Sequence, residues 1–135
     1  MTRSEDSRIA LVVIDVQRAL FEKSTPVYCA EALLRNISLL IDRAHEVGSR
    51  VFFFRHSNDS FLAHGSDGWR LHPALNLDTT DFLLDKTHGS AFQDTAFHQM
   101  LQEWKISQLI VTGLVTNGCV RATCEDALKH GYDVI

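Results

Sequence analysis

Ile9-Ala10-Leu11-Val12-Val13-Ile14, followed at once by Asp15, decides the fold. A run of apolar, largely β-branched residues with no polar interruption reads as a strand buried on both faces of a parallel sheet, and the charge after it marks the strand's tip. Outward from it, Leu33, Ile37, Leu40, Ile41 and Ala44 recur at helical spacing between about Cys29 and Val47, and Gly48 follows as a C-terminal stop. Val51-Phe52-Phe53-Phe54 is a second buried strand that runs into Arg55-His56-Ser57-Asn58. Phe82-Leu83-Leu84 is a short third strand delivering Lys86. Phe97, Met100, Leu101 and Trp104 form the stripe of a second helix, with Asp94 and Thr95 as cap candidates. Leu109-Ile110-Val111 is a fourth strand, Val120, Cys124, Ala127 and Leu128 mark a third helix ending near Gly131, and Tyr132-Asp133-Val134-Ile135 opens a fifth strand.

Strands alternating with helices predict an α/β domain, a three-layer α/β/α arrangement around a mostly parallel sheet. No repeat or linker divides residues 1–135, so one domain is expected. Asp59 to Thr80 has no sustained period, and a loop of that length predicts a segment roofing a pocket. A hydrophobic fraction of 45% with 22% charged residues fits a globular chain, and a net charge of −4 argues against nucleic acid or an anionic membrane as partner. Three cysteines without a CxxC pair suggest neither a disulfide framework nor a zinc knuckle, and favour a reducing compartment. The polar start MTRSEDSR is unlike a secretory signal, so a cytoplasmic location is expected.

In parallel α/β sheets, ligands bind beyond the carboxyl ends of the strands, and Asp15, Lys86 and Cys119 all map there. Cys119 falls at the amino end of a predicted helix, where unpaired N–H groups and the macrodipole favour a thiolate. The plain alternative is a small buried hydrophobe, a description that suits Cys29 and Cys124 better. Asp15 is either a solvated strand end or a general base, and Lys86 either a surface lysine or an electrostatic partner. If the three tips meet, Asp15 can take the Cys119 proton while Lys86 keeps the negative charge tolerable. Glu125 stands where a thiol phosphatase needs arginine, and Gly118 is followed by Cys119-Val120 where a P-loop needs lysine and a hydroxyl.

Three segments together carry a resemblance. They are Leu11-Val12-Val13-Ile14-Asp15-Val16-Gln17; Asp85-Lys86 with Ser90-Ala91-Phe92; and Gly113-Leu114-Val115-Thr116-Asn117-Gly118-Cys119-Val120, continuing through Ala127 to Gly131-Tyr132. Their order and spacing resemble the isochorismatase-like cysteine hydrolases, which include nicotinamidases, N-carbamoylsarcosine amidases and ureidoacrylate hydrolases. The resemblance implies a Rossmann-like fold and a triad with Asp15 as base, Lys86 as electrostatic partner and Cys119 as nucleophile. It also implies a cis Leu114-Val115 peptide and an oxyanion hole from the N–H groups of Val115 and Cys119. The reaction implied is cleavage of a C–N bond in a small amide or ureido compound through a thioester.

Alternatives are a catalytically impaired pseudoenzyme, a redox-sensing thiol protein of the same fold, and an isochorismatase-type ether hydrolase, although isochorismatases proper lack this cysteine. Phe21, Trp69 and Phe92 are candidate apolar walls, Arg55 or His56 a partner for a substrate carboxylate or ureido oxygen, and Thr116 a further substrate contact. Nicotinamidases of the family bind a metal through an Asp-x-His after the second strand and a further His. Here His56 and Asn58 stand at the first two positions, so no metal or other cofactor is expected, and His64 and His72 are read as loop histidines. Family members run on for another strand or two and a helix beyond Ile135. The chain is therefore expected to lack the family's C-terminal strand and helix, either as a fragment or with neighbouring subunits covering the edge, and a homo-oligomer, a dimer or tetramer, is favoured.

Overall fold

The computed structural model describes residues 8–22 and 29–135; the polar start discussed above lies outside them, apart from Arg8. The elements run β1 (Ile9–Ile14), α1 (Arg18–Phe21), α2 (Ala30–Val47), β2 (Arg50–His56), β3 (Phe82–Lys86), α3 (Phe97–Glu103), β4 (Gln108–Gly113), α4 (Arg121–Lys129) and β5 (Asp133–Val134). They form a five-stranded sheet in the order β3-β2-β1-β4-β5, with every pairing parallel. The most continuously apolar strand, β1, takes the centre, where both its faces are covered. Ala10, Val12 and Ile14 pack on one side with Phe52, Phe54, Phe97, Leu101 and Ala127, while Leu11 and Val13 pack on the other with Ile37, Ile41, Val51 and Phe53. Alternate residues of one strand thus meet α3 and α4 on one face and α2 on the other, giving the expected three layers.

The helices depart in detail from their sequence stripes. Trp104 is 38% exposed beneath the Arg50 guanidinium, and Leu128 is 61% exposed. In α4 the buried line passes instead through Thr123 and Ala127, a spacing of four that turns Leu128 outward. Thr123 earns its buried place by accepting the Ala91 N–H at 3.0 Å. Phe92, a candidate pocket wall in the sequence, is a core residue, packed among Phe97, His130 and Tyr132. The long loop from Asp59 packs down through Leu62, Trp69 and Leu75. It is tied to the end of β1 by a Gln17–Leu71 bridge and by the N–H of His72, which donates to the Val16 carbonyl at 2.8 Å. Among the described residues, no helix is long and apolar enough to cross a membrane.

Register brings the strand tips together. Ile14 lies beside Phe54 on one side and Gly113 on the other, and His56 lies beside Lys86. Gly113 has φ +124, and a Cβ there would collide with the backbone of Ile14. The Gly113→Ala variant is expected to lose at least about 2 kcal/mol of stability, read as a lower midpoint in urea unfolding, because both the backbone conformation and the approach to β1 are closed to a side chain.

Candidate active site

Asp15 is the residue after β1 and adopts φ +54, a left-handed conformation that aspartate tolerates better than most residues. Its N–H donates to the Phe54 carbonyl at 3.1 Å, so the turn is anchored to the neighbouring strand. From the last position of β3, Lys86 reaches the carboxylate: Nζ lies 3.1 Å from Asp15 Oδ2, and the two side chains are 0% and 4% exposed. The ammonium also donates to the carbonyl oxygens of His88 at 3.0 Å and Gly89 at 3.2 Å. The buried cation thus has several polar partners and the anion has the cation, which is how such charges are tolerated.

Cys119 joins them from the passage between β4 and α4. That passage turns through Thr116–Val120 as a single wide helical turn, interrupted at Gly118 (φ −123, ψ −110), before α4 begins at Arg121. The Leu114–Val115 peptide is cis, as the resemblance implies. The sulfur, a carboxylate oxygen of Asp15 and a ring nitrogen of His56 all lie within 4.8 Å of one another. Among the described residues, Asp15 Oδ1 is buried with no partner in full hydrogen-bond geometry, and the Cys119 thiol is the donor facing the carboxylate.

The electrostatics correct one expectation. A helix amino end predicts a thiolate at Cys119, yet the thiol is pushed above its ordinary value, first by burial and then by the Asp15 charge, with Lys86 opposing. The cysteine sits before α4, inside the preceding turn, half-buried and facing the Asp15 carboxylate. Burial also raises the Asp15 carboxyl, although Lys86 pulls it down. A carboxylate paired with Lys86 faces a thiol held above its ordinary value, and proton transfer from sulfur to carboxylate is the chemistry that this arrangement supports.

Of the other candidates, His56 is drawn into the cluster, its Nδ1 lying 3.2 Å from Lys86 Nζ. Arg55 is not available: it makes two bonds to Asp85, at 2.8 and 3.1 Å, and lies 3.8 Å over the Trp69 ring. Trp69 is 6% exposed and also packs against His64, so it is held between the loop and Arg55. Phe21 packs edge-on against His72, and Thr116 is exposed at the start of the turn. The residues do not fit a nicotinamidase-type metal: Asn58 Oδ1 accepts the N–H groups of Ser60 and Leu62, while His64 and His72 are engaged in separate contacts. In the Asp15, His56 and Cys119 cluster itself, the Lys86 ammonium already supplies the cation.

Gln17 was quoted in a motif without a role. Its side chain is fully buried, accepts the His56 N–H at 3.0 Å and donates to the carbonyls of His56 at 2.9 Å and Trp69 at 2.7 Å. The available signal was its position two residues beyond a strand-tip carboxylate, next to a long loop whose main chain needs partners.

Asp15→Asn is expected to make Cys119 react with iodoacetamide at lower pH than in the unaltered protein, followed by mass spectrometry across a pH series. The sign follows from the charge: removing an anion that raises the thiol lowers it, while the isosteric amide preserves packing.

Residues 9–135 match the family described as Isochorismatase domain. The chain is 30% identical over 128 residues to streptothricin hydrolase of Streptomyces noursei, covering 93% of this chain and 51% of that protein, so it spans about half the length of that relative. It is 29% identical to nicotinamidase 3 of Arabidopsis thaliana, covering 98% of this chain and 72% of that one. A crystal structure of an isochorismatase family protein superposes with a TM-score of 0.89 at 29% identity, over 94% of this chain and 76% of the other.

Proposed function

The chain belongs to the isochorismatase family, and on that footing we propose that it hydrolyses a C–N bond of a small amide or ureido compound, with Cys119 as nucleophile. The observation that carries this is the meeting of Asp15, Lys86 and Cys119 at the carboxyl tips of β1 and β3 and the turn after β4. A relative named nicotinamidase supports amide chemistry, and one named streptothricin hydrolase supports hydrolysis.

In the cycle, Asp15 takes the thiol proton as sulfur attacks the carbonyl carbon. The negative oxygen that forms is held by the N–H groups of Val115 and Cys119. The tetrahedral adduct collapses, the C–N bond breaks, and the departing nitrogen takes the proton from Asp15, leaving a thioester. Water then attacks the thioester, giving its proton to Asp15; the acid leaves, and sulfur recovers the proton. Lys86 remains charged throughout, limiting the cost of each anionic stage in the buried site. Phe21 serves as an apolar wall and Thr116 as a contact at the open side, while Trp69 supports the loop from beneath.

A redox-sensing role is favoured less, because a thiol held above its ordinary value is a poorer target for oxidants than a thiolate. The proposal is tested by incubating the protein with a panel of primary amides and ureido compounds and measuring released ammonia. Cys119→Ala is expected to lower release by about 10³-fold or more, as loss of a nucleophile does elsewhere. Selective alkylation of Cys119 with no ammonia from any compound would place the protein among catalytically impaired relatives instead.

A further inference from the structure

The Lys86 ammonium has four polar neighbours: Asp15 Oδ2 at 3.1 Å, the His88 carbonyl at 3.0 Å, the Gly89 carbonyl at 3.2 Å and His56 Nδ1 at 3.2 Å. Three of these are oxygens, and the fourth belongs to the one neighbour able to take up a positive charge. The His56 ring also hydrogen-bonds to the main chain of His88, so ring and ammonium share one turn. A neutral imidazole has one N–H and one lone pair, and can serve a carbonyl without turning a second donor on the ammonium. An imidazolium has two N–H groups and no lone pair, and sets a second positive charge 3.2 Å from the first.

The main chain leaves little room to relieve that conflict. His56 lies beside Lys86 in the register of β2 on β3; its N–H donates to Gln17 Oε1 at 3.0 Å, its carbonyl accepts from Gln17 Nε2 at 2.9 Å, and the Ser57 N–H donates to the Lys86 carbonyl at 3.0 Å. The strain therefore falls on the two side chains. The titratable groups facing the ring are Lys86 from β3, His88 from the turn after it, Asp15 from the tip of β1 and Cys119 from the passage after β4; the His88 ring is itself paired with Asp94 at 2.9 Å. Burial and Lys86 push His56 below its ordinary value, with Asp15 opposing them, so the ring is neutral near neutrality and takes a proton only on the acid side of the usual histidine range. Resting on the thiol-hydrolase reading above, we infer that His56 is a positioning residue for that reaction: as a neutral ring it holds the Lys86 ammonium on Asp15, and on taking a proton it drives the ammonium away and stops turnover. An Asp15 carboxyl parted from Lys86 is raised by burial, and once protonated it cannot take the proton of the thiol.

Nitrogen NMR during an acid titration reads the coupling without turnover. In the unaltered protein the His56 ring should be neutral at neutral pH, and the Lys86 ammonium signal should shift, and its protons begin to exchange with water, at the same midpoint as the ring takes its proton. In His56→Gln, where an amide that does not titrate replaces the ring, the Lys86 signal should stay in place through that range. For a primary amide that the protein turns over, His56→Ala should lower kcat for ammonia release by about tenfold or more, with a smaller change in KM. His56→Gln should recover part of that loss, and its acid limb of kcat/KM should be shallower and lie at lower pH than that of the unaltered protein. A Lys86 signal that ignores the protonation of His56, an imidazolium at neutral pH, or an unchanged acid limb in His56→Gln would each overturn the inference. The NMR titrations need no hydrolysis, so they can fail while ammonia release succeeds, or the reverse.

Discussion

The ion pair between Lys86 and Asp15 is the constraint on which the site depends. Two opposite charges 3.1 Å apart, with side chains 0% and 4% exposed, have lost nearly all their water. Such a pair stabilises a fold weakly, if at all, because desolvation consumes much of the Coulomb gain. What it does supply is placement. Lys86 is held by two carbonyl oxygens from the turn after β3, and Asp15 by its main-chain bond to Phe54, so neither can move toward solvent without leaving the other uncompensated. The parallel registers of β3 on β2 and β2 on β1 set their separation.

That pair sets the chemistry of its neighbours. Burial, reinforced by the Asp15 charge, raises the Cys119 thiol, and burial, reinforced by the Lys86 ammonium, lowers the His56 imidazole. The site thus gathers a thiol, a carboxylate and an imidazole around one ammonium group. Gly113 makes the geometry possible by letting the end of β4 approach β1 so closely that the Leu114 N–H donates to the Ile14 carbonyl at 2.8 Å.

Much of the architecture was legible along the chain. The apolar run Ile9–Ile14 is β1 over those same residues, and Gly48 ends α2 with φ +76. Continuous burial on both faces leaves a one-dimensional trace, as does a glycine required by a left-handed turn. Amphipathic faces were read less well: Leu128 and Trp104 point outward because a short helix can rotate by one residue and still bury enough apolar surface. The one-turn helix α1 went unnoticed, being too short to show a period.

At the site, residue types and strand-tip positions sufficed to nominate Asp15, Lys86 and Cys119, since a charge closing an apolar strand is visible wherever it occurs. Their protonation states were not legible in that way. A helix end acts on Cys119 through local dipoles, whereas the thiol responds to its burial and to a carboxylate distant in the chain. Arg55 looked free until Asp85 and Trp69 were seen to claim it, and Gln17 looked incidental until the fold wrapped main chain around its amide. Local pattern encodes burial and chain direction, because these depend on neighbours a few residues away. Charge state and hydrogen-bond allegiance depend on groups that only folding brings within a few ångströms.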